Sequence, residues 1–128
     1  MTKIKTVLLY LMSLSYVVAG LRHFSDPAFY LKIMPPYLPW HAFLVAFSGV
    51  CEIALGLLLL VPKYRRWAAW GLIALLIAVF PANLQMALNP QTFPDIPPVL
   101  LWLRLPLQGV LIAWAYWYTR ASAWQQPA

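Results

Sequence analysis

The chain is poor in charged residues, and acidic residues are the scarcest of them. Only 9% of its 128 residues are charged, and three are Asp or Glu, whereas soluble domains carry about 25% charged residues. Hydrophobic residues make up 63% of the sequence, which is more than a core of this size can hide from water. The composition therefore excludes a soluble domain and predicts a protein that contacts the lipid bilayer.

Cysteine is nearly absent as well. With one thiol, Cys51, the chain cannot form an intramolecular disulfide or a CxxC pair, so dithiol redox chemistry within one chain is excluded. We interpret Cys51 as a small core residue. Two histidines on different segments, with three acidic residues in the whole chain, do not form a ligand set for zinc or haem, so no metal site is predicted.

The net charge of +6 does not indicate nucleic-acid binding, because the basic residues sit at the ends of apolar runs and not on one polar face. The more basic side holds Lys3, Lys5, Lys63, Arg65, Arg66 and Arg120, and the other side holds Arg22 and Lys32. By the positive-inside rule, this asymmetry predicts a multi-pass protein with both termini in the cytoplasm.

Four apolar segments reach the roughly 20 residues that a membrane helix needs. They cover residues 4–24, 41–61, 67–88 and 98–119. We therefore expect an all-α, integral membrane four-helix bundle that forms a single domain over residues 1–128. Basic residues before an apolar run can also mark a signal peptide, but the first run is long enough for a retained span.

A short helix is predicted after the first span. Pro27 suits the first position of a helix, and the residues that follow it, including Phe29 and Tyr30, form an apolar face. Such a helix is expected to lie in the membrane interface and to end at Pro35 and Pro36.

Polar side chains collect in the outer half of the predicted bilayer. With a rise of 1.5 Å per residue, Glu52 of the second span lies ~16 Å from the outer boundary. On the fourth span, Arg104 and Gln108 lie at ~9 Å and ~15 Å, while His23 and Asn83 stand near the outer ends of the first and third spans. A carboxylate at such depth is costly, and intramembrane ionisable residues are functional candidates by default.

Helical periodicity turns these residues inward, because they share stripes with small residues that let membrane helices approach. The predicted ligand-binding set is Glu52, Arg104, His23, Asn83, Gln108, Tyr16 and Ser48. In this set Glu52 is the acid/base or acceptor group, Arg104 a charge clamp, and His23 a titrating group near the mouth. No catalytic residue is assigned.

Three interpretations of the cluster stay open. In the first, it binds a small hydrophobic molecule with a polar head. In the second, Glu52 and Arg104 form a structural ion pair in a non-enzymatic membrane scaffold. In the third, the protein is an isomerase-like enzyme that uses Glu52 for proton transfer. The sequence leaves open the ligand, the oligomeric state, including a homo-oligomer, and the protonation state of Glu52.

Several motifs resemble the DoxX family of small bacterial membrane proteins. They are Gly20-Leu-Arg-His23-Phe24 with the proline-rich loop after it, Ser48-Gly49-Val-Cys-Glu52, the basic turn, and Phe80-Pro-Ala-Asn83. The resemblance covers residues 15–118 and implies a four-helix protein of the bacterial inner membrane. It also implies an accessory component of a redox or stress-response system, with quinone as the ligand and a redox protein as partner. If the chain is part of an enzyme, the resemblance implies an oxidoreductase subunit.

Overall fold

The computed structural model describes residues 2–34 and 36–120, and all regular structure in this part of the chain is helical. The helices are α1 (Lys3–Ser25), α2 (Pro27–Ile33), α3 (His41–Leu58), α4 (Arg65–Leu88) and α5 (Pro98–Trp117), with a 3₁₀ turn at Pro90–Thr92. The four long helices are long and apolar enough to cross a membrane. They confirm the predicted all-α four-helix bundle, and the chain is a multi-pass membrane protein.

The short helix α2 forms where the sequence predicts it, with Pro27 in its first turn. Pro35, one of the two residues expected to end it, lies outside the described residues. Two spans are shorter than predicted: α3 ends at Leu58 and not at residue 61, and α5 ends at Trp117 and not at residue 119. Beyond α3, the Leu60 amide donates to the carbonyl of Leu57, three residues earlier, so the chain leaves the α-helix in a tighter turn. The apolar sequence continues through this turn and therefore does not reveal where the helix ends.

Small residues hold α1 against α3. A Cβ added at Gly20 of α1 would lie 2.7 Å from the carbonyl oxygen of Gly49 on α3, so only glycine allows this backbone approach. Nearer the other end of the helix pair, the Ser13 hydroxyl donates a 2.7 Å hydrogen bond to the Gly56 carbonyl. We call this contact between Ser13 and Gly20 of α1 and Gly49 and Gly56 of α3 the glycine seam. It fixes the rotation of both helices and thereby decides which side chains of α1 and α3 face each other.

Two apolar clusters lie at opposite ends of the bundle. The larger one, at the end that holds Lys5, packs Leu9 of α1 and Leu72 of α4 against Tyr118, which directly follows α5. The smaller one joins Met86, Phe93 and Leu101 at the other end, with Phe29 and Tyr30 of α2 packed against it. The tight helix pairs are α1 with α3 and α4 with α5, whereas α1 and α5 pack only loosely against each other.

Candidate functional site

A cavity of about 300 Å³ lies among the helices. Six of the seven residues in the predicted set line it: Tyr16, His23, Ser48, Glu52, Asn83 and Arg104. They come from four long helices, and α2 adds Tyr30 to the wall. The structure thus brings together in one pocket polar side chains that are as far apart in the sequence as Tyr16 and Arg104.

His23 and Glu52 meet at the wall formed by α1 and α3. The imidazole Nδ1 lies 3.3 Å from Glu52 Oε2 and 2.8 Å from the carbonyl oxygen of Ala19. On its other side, the imidazole stacks on the Tyr30 ring, with 3.8 Å between the ring centroids and 21° between the planes. Contacts on both sides hold the His23 ring in one orientation at the edge of the pocket.

Two buried polar atoms of the pocket have no hydrogen-bond partner in the described part of the protein. They are the Tyr16 hydroxyl oxygen and Glu52 Oε2. Leaving such a group unbonded costs about 1–3 kcal/mol. Because both residues line the same cavity, the pocket offers one hydroxyl and one carboxylate oxygen to a molecule that enters it.

A directional hydrogen-bond chain joins α5 to α4 on the opposite wall. Arg104 Nε donates to Asn83 Oδ1 at 3.3 Å, and Asn83 Nδ2 donates to Gln108 Oε1 at 2.6 Å. Gln108 Nε2 in turn donates to the carbonyl of Leu76. Each amide accepts with its oxygen and donates with its nitrogen, so both side chains are fixed in orientation.

The structure corrects two expectations about this cluster. Glu52 and Arg104 do not form the ion pair that the scaffold interpretation assumes, since the Glu52 carboxylate lies against the His23 imidazole instead. The reason is that the glycine seam orients Glu52 towards α1. Arg104 instead donates a hydrogen bond to Asn83 on α4. Gln108 is buried but does not line the cavity. It instead accepts a hydrogen bond from Asn83 and so holds the Asn83 side chain in place.

The sequence prediction missed Tyr30 and Trp114, which also line the pocket. Tyr30 belongs to α2, where it was interpreted only as part of an apolar face. Burial raises the pKa of the Tyr30 phenol, and the charge of Glu52 raises it further, while Arg22 and Arg104 oppose the rise. Its hydroxyl therefore stays protonated at neutral pH. In the sequence, the one feature that marks Tyr30 as a pocket residue is its phenol hydroxyl on an otherwise apolar helix face.

Comparison with known proteins gives a family match over most of the chain. The family model described as Domain of unknown function (DUF8561) matches residues 12–119, which include α2, α3, α4, α5, most of α1 and all the pocket residues discussed above. No curated protein and no solved structure matches the chain.

Proposed function

This chain belongs to the DUF8561 family, and from the chemistry of its pocket we propose that it binds a small hydrophobic molecule with a quinone-like polar head. The binding site is the cavity between the spans, and the ligand reaches it from the bilayer. The resemblance to the DoxX family supports the same ligand class and favours an accessory role in a redox or stress-response system.

The observation that carries this proposal is the pair of unbonded polar atoms on Tyr16 and Glu52. A quinone presents carbonyl oxygens that need a donor, and the Tyr16 hydroxyl supplies one. The reduced quinol presents hydroxyl groups that need an acceptor, and Glu52 Oε2 supplies one. One pocket can therefore hydrogen-bond both redox forms of the same head group without rearrangement of the helices.

The size of the pocket supports a compact head group. Its volume of about 300 Å³ lies at the lower end of the range of roughly 300–1,000 Å³ for ligand pockets. Apolar walls from Met12, Val45 and Leu76 surround the polar atoms, as expected for a site that takes a ring and fixes its orientation with few hydrogen bonds. A long isoprenoid tail would remain in the lipid.

We further propose that the protein resides in the bacterial inner membrane with both termini in the cytoplasm. The concentration of basic residues at the end of the bundle that holds Lys5 supports this orientation. Because the chain has one cysteine, electron transfer would depend on a redox-protein partner. In this arrangement the pocket holds the quinone and the partner exchanges electrons with it.

The test measures the binding of ubiquinone-1, a quinone ring with one prenyl unit, to the detergent-purified protein. Binding is monitored by the quenching of tryptophan fluorescence. Loss of one neutral hydrogen bond in Tyr16→Phe should weaken binding by about 2- to 10-fold. Glu52→Gln should weaken the binding of the reduced form more than that of the oxidised form. Tyr10→Phe is the matched control, because Tyr10 is an exposed tyrosine of the same helix.

A membrane scaffold is the second candidate, and the saturated chain from Arg104 through Asn83 to Gln108 favours it. Solvent extraction and mass spectrometry of the purified protein separate the two functions. A stoichiometric quinone that is lost in Tyr16→Phe and Glu52→Gln supports a ligand site. Equal binding of ubiquinone-1 by wild type and both variants, with normal folding, would refute it and leave the scaffold.

A further inference from the structure

A second concavity lies at the end of the bundle that holds Lys5, away from Glu52. It is a groove of about 510 Å³ on the loosely packed side between α1 and α5. Its lining includes Leu8, Val110, Ala113, Trp114, Trp117 and Arg120. The groove is apolar along its length and has the Arg120 guanidinium at one end. This arrangement fits a lipid whose acyl chain lies in the groove and whose charged head group lies at that end.

Lys5 adds a second positive charge at the same end. Its side chain is only 3% exposed, and its ammonium group lies 4.6 Å from the centroid of the Trp117 ring, which lines the groove. The charges of Lys5 and Arg120 are near enough to repel each other. Arg120 itself is exposed, so two cations converge on one mouth of the groove, one beneath the indole and one at the surface.

The chain does not neutralise this pair from within the described residues. Its side-chain carboxylates are Asp26, Glu52 and Asp95. Asp26 follows α1 and Asp95 precedes α5, both at the far end of the bundle, and Glu52 pairs with His23. The neighbouring Arg65 differs, because its guanidinium donates to the carbonyls of Leu59 and Leu60. Within residues 2–34 and 36–120, no carboxylate therefore compensates the charges of Lys5 and Arg120.

We propose that this groove binds an anionic phospholipid. The phosphate contacts the exposed Arg120 guanidinium, Lys5 contributes its charge from beneath Trp117, and one acyl chain lies along the groove past Ala113. Basic pockets between membrane helices select anionic head groups in this way. The groove shares Trp114 with the wall of the polar pocket, but this proposal does not depend on the function proposed for that pocket.

The test compares dioleoylphosphatidylglycerol with dioleoylphosphatidylcholine in native mass spectrometry of the detergent-purified protein. Two basic side chains near a membrane surface correspond to about a thirty-fold preference for the anionic lipid. The Lys5→Gln/Arg120→Gln variant should lose this preference. The matched control is Lys63→Gln/Arg66→Gln, which removes the same charge from exposed residues that do not line the groove.

Two further variants and one control test the proposal if the Gln double variant folds poorly. Lys5→Arg retains the charge and should retain the preference. Ala113→Trp fills the groove without changing charge and should reduce phosphatidylglycerol binding, whereas Ala74→Trp, at an exposed position of α4, should not. Equal binding of both lipids by wild type, or equal losses in the two double variants, would overturn the proposal, because surface charge alone would then explain the binding.

Discussion

The His23 imidazole contacts the Glu52 carboxylate, with 3.3 Å between Nδ1 and Oε2. This contact joins the first and second membrane spans at the level of the pocket, close to the point where Gly49 packs against the His23 Cβ. Because Nδ1 also lies 2.8 Å from the Ala19 carbonyl, the imidazole does not satisfy Oε2, which has no hydrogen-bond partner. The carboxylate is thus positioned by His23 and still able to bond a ligand.

The energetic coupling of His23 and Glu52 can be measured with a double-mutant cycle. His23→Phe preserves an aromatic ring against Tyr30, and Glu52→Gln removes the charge. For residues in contact, we expect the free energies of unfolding to be non-additive by about 0.5–3 kcal/mol. The measurement is SDS-induced unfolding in mixed micelles. His23→Phe combined with Asp95→Asn, in the loop before α5, should be additive, and additivity in both pairs would contradict the contact.

The Arg104–Asn83–Gln108 chain should contribute to stability as a unit. Asn83→Leu leaves the Arg104 Nε group and the Gln108 carbonyl oxygen without their observed partners. We expect a loss of about 1–3 kcal/mol for each group that stays unsatisfied. Replacing Gln108 by Leu in the same protein removes one of these orphaned groups, so the double variant should be less destabilised than the two single effects predict. Gln91→Leu, at an exposed position, is the control for the same unfolding assay.

The glycine seam between α1 and α3 should not tolerate even one methyl group. In Gly20→Ala, the new Cβ would lie 2.6 Å from Ile53 Cγ1 and 2.7 Å from the Gly49 carbonyl oxygen. The backbone atom cannot move aside, and overpacking of this kind costs about 1–3 kcal/mol. Gly109→Ala meets nothing within 4 Å and should be neutral or stabilising, since alanine favours the helix. Equal thermal stability of the two variants would refute the seam.

The sequence could predict that the polar side chains of the four spans lie at a similar level of the bundle. It could not predict which of these side chains contact each other. The ends of the apolar runs and the constant rise per residue fix how far Glu52, Arg104 and Asn83 lie along their helices. Which side chain each one faces depends on helix order and rotation. Lipid surrounds the outer faces of all four spans, so apolar periodicity gives little information on either. For this reason, the scaffold interpretation pairs Glu52 with Arg104, whereas the structure places Glu52 against His23.

Tyr30 shows a second limit of the sequence. Its position depends on α2 folding back onto the bundle, where its ring stacks on His23. No local pattern in seven residues specifies that docking. Proline at the start of α2 predicts the helix itself, whereas the contact partner lies on another element and is fixed only by the three-dimensional packing.

The raised pKa of Tyr30 makes a prediction at alkaline pH. Burial is the larger cause, and the Glu52 carboxylate adds to it, so the folded protein holds the phenol proton above the ordinary value of 10.0. The neutral phenol then stabilises the fold fully below pH 10.0, and this contribution is lost as pH rises through the higher folded value. The Tyr30→Phe variant keeps the ring but cannot ionise at this position. The wild type should therefore lose stability relative to this variant only above pH 10.0.

The measurement is the ultraviolet difference titration of tyrosinate, with the Tyr30→Phe curve subtracted from that of wild type. The difference should be a single transition with a midpoint above 10.0. Adding Glu52→Gln to both proteins should lower that midpoint, because the carboxylate charge is one of its causes. A midpoint at or below 10.0 would place the Tyr30 hydroxyl in water and remove it from the wall of the pocket.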